Sequence, residues 1–258
     1  MTLRSMFRTV RRTFISDPAW IKLRSVRNLR LVSGPLTYNQ DGLATRHNAD
    51  FIHDPRFRDA YRKGEQTGSW RGAAIHWRAY VACWAADKAS RLEGDFVECG
   101  VNKGGLARTI IEFTRFKDLP KRFYLLDTYQ GLVEECLTHE ERALGRTAGG
   151  YEECFESVKR TFSEFPNIVL VRGTVPNTLS QVSAEKVAYL SIDMNCAMPE
   201  IAAAEYFWDR MVTGGVILLD DYGWQGAIAQ KRAFDEFARK RHTLVLPLPT
   251  GQGVILKP

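Results

Sequence analysis

From residue 94 onward, five short apolar runs alternate with helical stretches, and four of the five close on or beside an acid. The runs are Phe96–Cys99, Arg122–Asp127, Ile168–Arg172, Val187–Asp193 and Val216–Asp221. Continuous apolar runs of this kind suit strands buried on both faces. Helical spacing appears between them at Leu106–Phe116, Tyr151–Glu164, Pro199–Met211 and Gln225–Arg241, with Pro199 suited to a first turn. Such alternation restricts the chain to an α/β fold, with a mostly parallel sheet and right-handed crossovers. Two last runs, Thr243–Pro247 and Gly253–Leu256, are joined by too few residues for a crossover, which predicts an antiparallel terminal hairpin. At 258 residues the chain has room for one such domain with appendages.

The first run leads into GDFVECGVNKGGL, residues 94–106. A strand reaches the acid Glu98, and Gly100, Gly104 and Gly105 then open a helix. Glycines let the backbone approach a ligand, and a helix start offers unpaired N–H groups. The spacing E-x-G-x-x-x-G departs from the dinucleotide fingerprint, because Asn102 stands where a pyrophosphate needs the closest approach. A ligand with a ribose and no pyrophosphate suits this turn better, with S-adenosylmethionine the first candidate. A glycine turn that holds no ligand is the plainer alternative.

In an open α/β sheet, ligands bind beyond the C-terminal strand ends. Glu98, Asp127, Asp193 and the pair Asp220-Asp221 all stand at such ends. Asp127 is placed to accept from vicinal ribose hydroxyls. Gly173 and Thr174 follow the third run, where a glycine lets an adenine lie against the backbone. Asp193, Asp220 and Asp221 converge if strands four and five are neighbours, and three close carboxylates repel unless one is protonated or a cation sits between them. Hard oxygen ligands suit Mg²⁺ or another hard divalent ion. Turn and helix caps explain any one of these acids alone, but poorly explain all of them together. For a general base, Asp193 ranks first and His139, in an irregular insert over 132–150, ranks second. His76, in a helix over 73–92, reads as a packing residue. Tyr222, Trp224 and Gln225 are candidates for one wall of an acceptor site.

The charge is unevenly placed. Residues 1–35 carry eight Lys/Arg and one acid, +7 of a formal total of +6, so the remainder sums to −1. The body is near neutral, and the high pI is no argument for nucleic acid. Leu3, Phe7, Val10 and Phe14 recur at helical spacing opposite Arg4, Arg8, Arg11 and Arg12. This basic amphipathic arm either touches an anionic membrane surface through residues 1–32 or packs on the body or a second subunit. Packing is the preferred reading, and a homo-oligomer is expected. Residues 33–50 read as irregular, and 51–70 as a helix and loop able to cover a cleft. The organisation expected is therefore an N-terminal arm and lid over 1–69 and a catalytic domain over 70–258. No apolar run approaches the ~18 residues of a membrane span, and no signal-peptide pattern is present. Five cysteines without paired spacing read as reduced thiols of a cytoplasmic protein.

The stretches GDFVECGVNKGG, LLDTYQGL, LSIDMN and GGVILLDDYGWQG, followed by QKRAFDEF, resemble the macrocin and mycinamicin O-methyltransferase family over about residues 70–258. The resemblance implies a Rossmann-like class I methyltransferase fold, S-adenosylmethionine, a divalent metal, and methylation of a hydroxyl on a sugar or glycan acceptor. By matching motif, Glu98, Gly100 and Gly104 would line the methionine and ribose side. Asp127 would bind the ribose with Thr128 beside it, and Gly173 and Thr174 would lie near the adenine. Asp193, Asp220 and Asp221 would hold Mg²⁺. One departure stands out: the family's Asp-Gly-Asp run after strand four is Asp193-Met194-Asn195-Cys196 here. The first acid is kept and the loop around it is rebuilt. This leaves the acceptor open between a macrolide sugar and a sugar of a surface polysaccharide or another glycoconjugate. Two further readings remain: a methyltransferase for a catechol-like molecule with vicinal oxygens, and a non-catalytic protein on the same fold.

Overall fold

The computed structural model describes residues 35–258, so the basic arm expected over 1–32 lies outside the described residues. The described chain opens with a hairpin of β1 (Tyr38–Gln40) and β2 (Leu43–Thr45). Its turn is Asp41-Gly42, with φ of 53° and 73°. Positive φ at both positions is the turn that fits strand twist, and Asp-Gly is a favoured pair for it. The stretch expected to be irregular thus contains a hairpin.

Two helices follow, α1 (Pro55–Glu65) and α2 (His76–Ala89). Asp54 caps α1, accepting a hydrogen bond from Phe57 N at 2.9 Å, and Pro55 opens it. Phe57, Tyr61, Ala79, Cys83 and Phe113 share one apolar cluster, which binds α1 and α2 to α3 (Gly105–Thr114).

The main sheet has seven strands in the order β5-β4-β3-β6-β7-β9-β8. They are β3 (Asp95–Cys99), β4 (Phe123–Asp127), β5 (Ile168–Arg172), β6 (Val187–Ile192), β7 (Met211–Leu219), β8 (Leu246–Pro247) and β9 (Gly253–Leu256). β3 to β7 are parallel, β9 runs antiparallel to β7, and β8 antiparallel to β9. The fold is therefore the expected mostly parallel α/β sheet with an antiparallel C-terminal pair. Alternate side chains feed two cores. Val97, Tyr124 and Leu126 face one cluster, and Phe96, Phe123 and Leu125 the other. All six residues of β6 are buried, as expected of a central strand covered on both faces.

Helices α5 (Phe155–Phe162), α6 (Ala197–Trp208) and α7 (Ile228–Lys240) complete the layers. β7 begins at Met211, five residues before the expected start, because Met211 pairs with Val187 across a register shift in β6. The insert over 132–150 is partly ordered. It holds a 3₁₀ turn at Glu134–Cys136 and the short α4 (His139–Ala143), and a Leu132–Gly149 bridge closes it. All five cysteines are buried and unpaired. No helix among the described residues is long and apolar enough to cross a membrane.

Candidate active site

The turn after β3 is tied down by a carboxylate. Asp127 Oδ2 accepts from Val101 N at 2.6 Å and from Asn102 N at 2.7 Å, and Oδ1 accepts from Tyr129 N at 2.7 Å. Two N–H groups on one oxygen fill its lone pairs, so the end of β4 holds the glycine turn in shape. The acid expected to take ribose hydroxyls therefore acts first as a clamp, and the Thr128 hydroxyl stands 3.3 Å from Oδ1. Asn102 sits at φ 50°, a conformation asparagine tolerates, and its side-chain amide donates to Ser69 O at 3.3 Å. Ser69 Oγ accepts from Gly105 N at 2.8 Å and so caps the start of α3.

The glycines serve packing as much as ligand approach. A Cβ on Gly100, at φ 92°, would lie 1.8 Å from the carbonyl oxygen of Asp193. A Cβ on Gly104, at φ 83°, would lie 2.6 Å from the Phe162 ring.

Glu98 is buried beside this turn, and its Oε2 has no hydrogen-bond partner. Burial pushes its carboxyl well above the usual range, with Asp220 and Asp127 adding to the shift. An orphaned carboxyl oxygen at a cavity wall fits a ligand that brings its own donors, as a ribose or an amino-acid ammonium group does.

The three aspartates converge. One carboxylate oxygen from each of Asp193, Asp220 and Asp221 lies within 4.8 Å of the others. They are the first residues after β6 and β7, which pair as neighbours. Asp193 N donates to Cys99 O at 2.8 Å, and Asp193 Oδ1 accepts from Asn195 Nδ2 at 3.1 Å. Asp220 Oδ2 accepts from Arg78 Nη1 at 2.8 Å, and its Oδ1 accepts from Gln252 Nε2 at 3.0 Å. Asp221 Oδ2 is buried without a partner. Burial, then the charges of Asp220 and Asp221, hold the Asp193 carboxyl well above the carboxylate range. Burial and Asp220 push Asp221 up to about 6. Three clustered carboxyls with one orphaned oxygen fit a hard divalent cation.

Beyond the trio, the 193–197 loop is braced from the insert. The Arg146 guanidinium donates to Asn195 O, to Gly226 O at 3.2 Å and to Gln230 Oε1 at 3.4 Å. It also lies 5.7 Å from the centre of the Trp224 ring, which is 55% exposed. Glu141 Oε1 accepts from Ala197 N at 2.8 Å, so α4 is docked on the start of α6. Tyr222 is turned into the core, with its hydroxyl on Asp235.

One cavity of about 340 Å³ joins these parts. Following the strand order, it runs from Gly173 and Thr174 past Asp127, Thr128, Glu98 and Gly100 to Asp193, Asp220 and Asp221. Gly104, His139, Tyr222, Trp224 and Gln225, all sequence-derived candidates, lie off its wall. Gly104 is the cap of α3, packed under Phe162. His139 is the exposed first residue of α4, where the Thr138–Glu141 capping box turns Glu141 inward and leaves His139 outside. That placement removes His139 as a base for chemistry in the cavity. His76 stacks on Tyr61 with ring centres 4.3 Å apart, and burial lowers its pKa, in keeping with packing.

Arg78, Ser69, Arg71 and Tyr151 line the cavity without having been singled out from the sequence. For Arg78 a signal existed: it is the only charged residue among the first eleven of α2, a helix with an alanine-rich buried face.

A profile of the macrocin-O-methyltransferase family, TylF, matches residues 79–250. No individually curated protein matches the chain. Among solved structures, the O-methyltransferase NovP superimposes with a TM-score of 0.63 at 17% identity, over 81% of this chain and 99% of that one. CalS11, a calicheamicin methyltransferase, does so with a TM-score of 0.56 at 15% identity, over 88% and 99%. At such identities the superpositions establish the fold, a methyltransferase fold built on the sheet described above. The profile covers about two thirds of the sequence and spans the glycine turn, the Asp127 clamp and the aspartate trio, so the chain belongs to the macrocin O-methyltransferase family.

Proposed function

We propose that this protein, an S-adenosylmethionine-dependent O-methyltransferase, methylates a hydroxyl of a sugar or glycoconjugate with the help of a divalent ion held by Asp193, Asp220 and Asp221. The observation that carries this reading is one continuous cavity with the orphaned Glu98 carboxyl in one half and the carboxylate trio in the other. CalS11, among the structural neighbours, is described as a TDP-rhamnose 3′-O-methyltransferase, which favours a sugar acceptor. When bound, the sulfonium group supplies the methyl carbon and the ion polarises the acceptor hydroxyl.

The chain's own residues do the rest. Glu98, Gly100 and the Asp127 clamp hold the donor half, with Thr128 beside them and Gly173 and Thr174 at the far end. The trio orients the acceptor oxygen toward that half, so catalysis is mainly positioning. As oxygen bonds to the methyl carbon, the carbon–sulfur bond breaks and its electron pair stays on sulfur. The hydroxyl proton passes to Asp193, through the oxygen that Asn195 leaves free.

Calorimetric titration with S-adenosylhomocysteine, with and without Mg²⁺, tests the reading. Binding in the micromolar range is expected, and no binding in either condition would sink it. Asp221→Ala is expected to lower turnover at least about 100-fold while leaving that binding nearly intact. Unchanged turnover would remove the metal from the proposal.

A further inference from the structure

The trio is supported by residues that the family profile does not reach. Its match ends at residue 250 and begins at 79, whereas Asp41, Arg78 and Gln252 lie outside it. We propose that Arg78, fixed by Asp41 in the hairpin turn, and Gln252 are positioning residues that orient Asp220 for the divalent ion. This rests on the metal reading of the preceding section.

The geometry is a complete fork. Arg78 Nε donates to Asp41 Oδ2 at 2.7 Å, and Nη2 donates to Asp41 Oδ1 at 2.9 Å. Nη1, the remaining nitrogen, reaches Asp220 Oδ2 at 2.8 Å. The second oxygen of Asp220 is held from the other side by Gln252 Nε2 at 3.0 Å. Gln252 is fully buried, and its own Oε1 has no partner, so its amide is committed to Asp220 alone.

An exposed ion pair of this type would matter little. Here the side chains of Arg78, Asp41 and Asp220 retain only 23%, 15% and 10% of their exposure, and a bidentate guanidinium fixes direction as well as charge. Each oxygen of Asp220 keeps one lone pair, which is what a ligand carboxylate needs.

The charge balance decides the sign of the effect. A lone arginine beside a cation site would repel the cation. Asp41 neutralises Arg78, so Arg78 contributes orientation with little net positive charge. Loss of Asp41 leaves Arg78 both unheld and uncompensated, and should also weaken the ion. The Asp41-Gly42 turn, with both φ positive, sets where Asp41 stands. The hairpin is thereby a strut for a metal ligand 179 residues further along the chain.

The test measures Mn²⁺ and Mg²⁺ binding by titration calorimetry on the full chain in the absence of acceptor, beside S-adenosylhomocysteine binding. Arg78→Gln is expected to weaken ion binding about 10–100-fold, the usual cost of losing an outer-shell partner. Arg78→Lys, a point charge that cannot fork, should fall between. Asp41→Asn and Gln252→Leu should each weaken it by about 10-fold. S-adenosylhomocysteine affinity should hold in all of them, which separates positioning from general unfolding. If Arg78→Gln does not fold, Asp41→Asn and Gln252→Leu decide. Wild-type protein that takes up no ion would overturn the metal reading and this inference with it. Wild-type protein that binds the ion no more tightly than the variants, or less tightly, would overturn the outer shell alone.

Discussion

The two halves of the cavity, proposed above for the methyl donor and the acceptor, are built by different means. Around the donor half, Asp127 gathers backbone N–H groups 25 and 26 residues earlier in the chain and one two residues later. Around the acceptor half, side chains reach across 49 residues from Arg146 to Asn195, 84 from Arg146 to Gln230 and 142 from Arg78 to Asp220. A backbone donor is present at every residue but proline, so outside its glycines the first half tolerates most changes of sequence. The second depends on particular side chains meeting at long range, and each is a place where one chain can differ from its relatives. The donor half is thus suited to a fixed ligand, and the acceptor half to a variable one.

The largest expected effect comes from the point where the halves touch. A methyl group on Gly100 would meet the Asp193 carbonyl oxygen at 1.8 Å and its carbon at 2.4 Å, both backbone atoms unable to swing aside. The position also has φ 92°, which alanine resists. Gly100→Ala should cost on the order of 3 kcal/mol, or about 10 °C in thermal midpoint at roughly 2–4 °C per kcal/mol. It should weaken S-adenosylhomocysteine and divalent-ion binding together. Loss of only one of the two would show that the halves are more independent than this contact implies.

A smaller effect, confined to one side, is expected from Arg146→Met. The substitution keeps some of the side chain's bulk and removes the donors to Asn195 O, Gly226 O and Gln230. Charge-assisted bonds of this kind are worth about 1.5–3 kcal/mol each. The acceptor KM should rise about 10-fold or more, with S-adenosylhomocysteine affinity unchanged in calorimetry. Equal weakening of both ligands would mean that the loop after β6 also shapes the donor half.

The same contrast explains what the sequence disclosed. Strand ends, the glycine turn and the acids after β6 and β7 are legible because apolar runs fix where strands stop, and parallel neighbours bring those stops together. Ile168–Arg172 has the same limits in sequence and structure. The hairpin is hard to read although Asp41-Gly42 carries its signal, because strands of three residues give almost no alternation. His139 was misplaced for a related reason. Its chemistry is visible in the sequence, but its orientation depends on the capping box that turns Glu141 inward and so leaves His139 in solvent. Arg78, Arg146 and Gln252 carry no periodic or spacing signal that points to their partners. Only the fold brings Gln252 to Asp220 and Arg146 to Asn195.

The smallest effect asks whether the acceptor half stores a charge cost. Glu200 lies on α6 beneath it, 3% exposed, and its Oε1 accepts from Met194 N and Gln230 Nε2, each at 3.1 Å. Burial first, and then the charge of Asp221, push its carboxyl from 4.5 to about 8, against the lowering pull of those two bonds. An acid with a raised folded-state value keeps its proton in the native protein while the unfolded chain has already released it. Its stabilising share is full below about 4.5, declines as pH rises from there to about 8, and is flat beyond. Glu200→Gln keeps an oxygen acceptor for Met194 and cannot ionise. Thermal midpoints measured from pH 4.5 to 8.5 should therefore fall in the wild type relative to Glu200→Gln, by roughly several degrees if the cost is 1–2 kcal/mol. Parallel curves would mean that Glu200 is relieved in solution, by water or by movement of the 193–197 loop, and that this half is softer than its hydrogen bonds suggest.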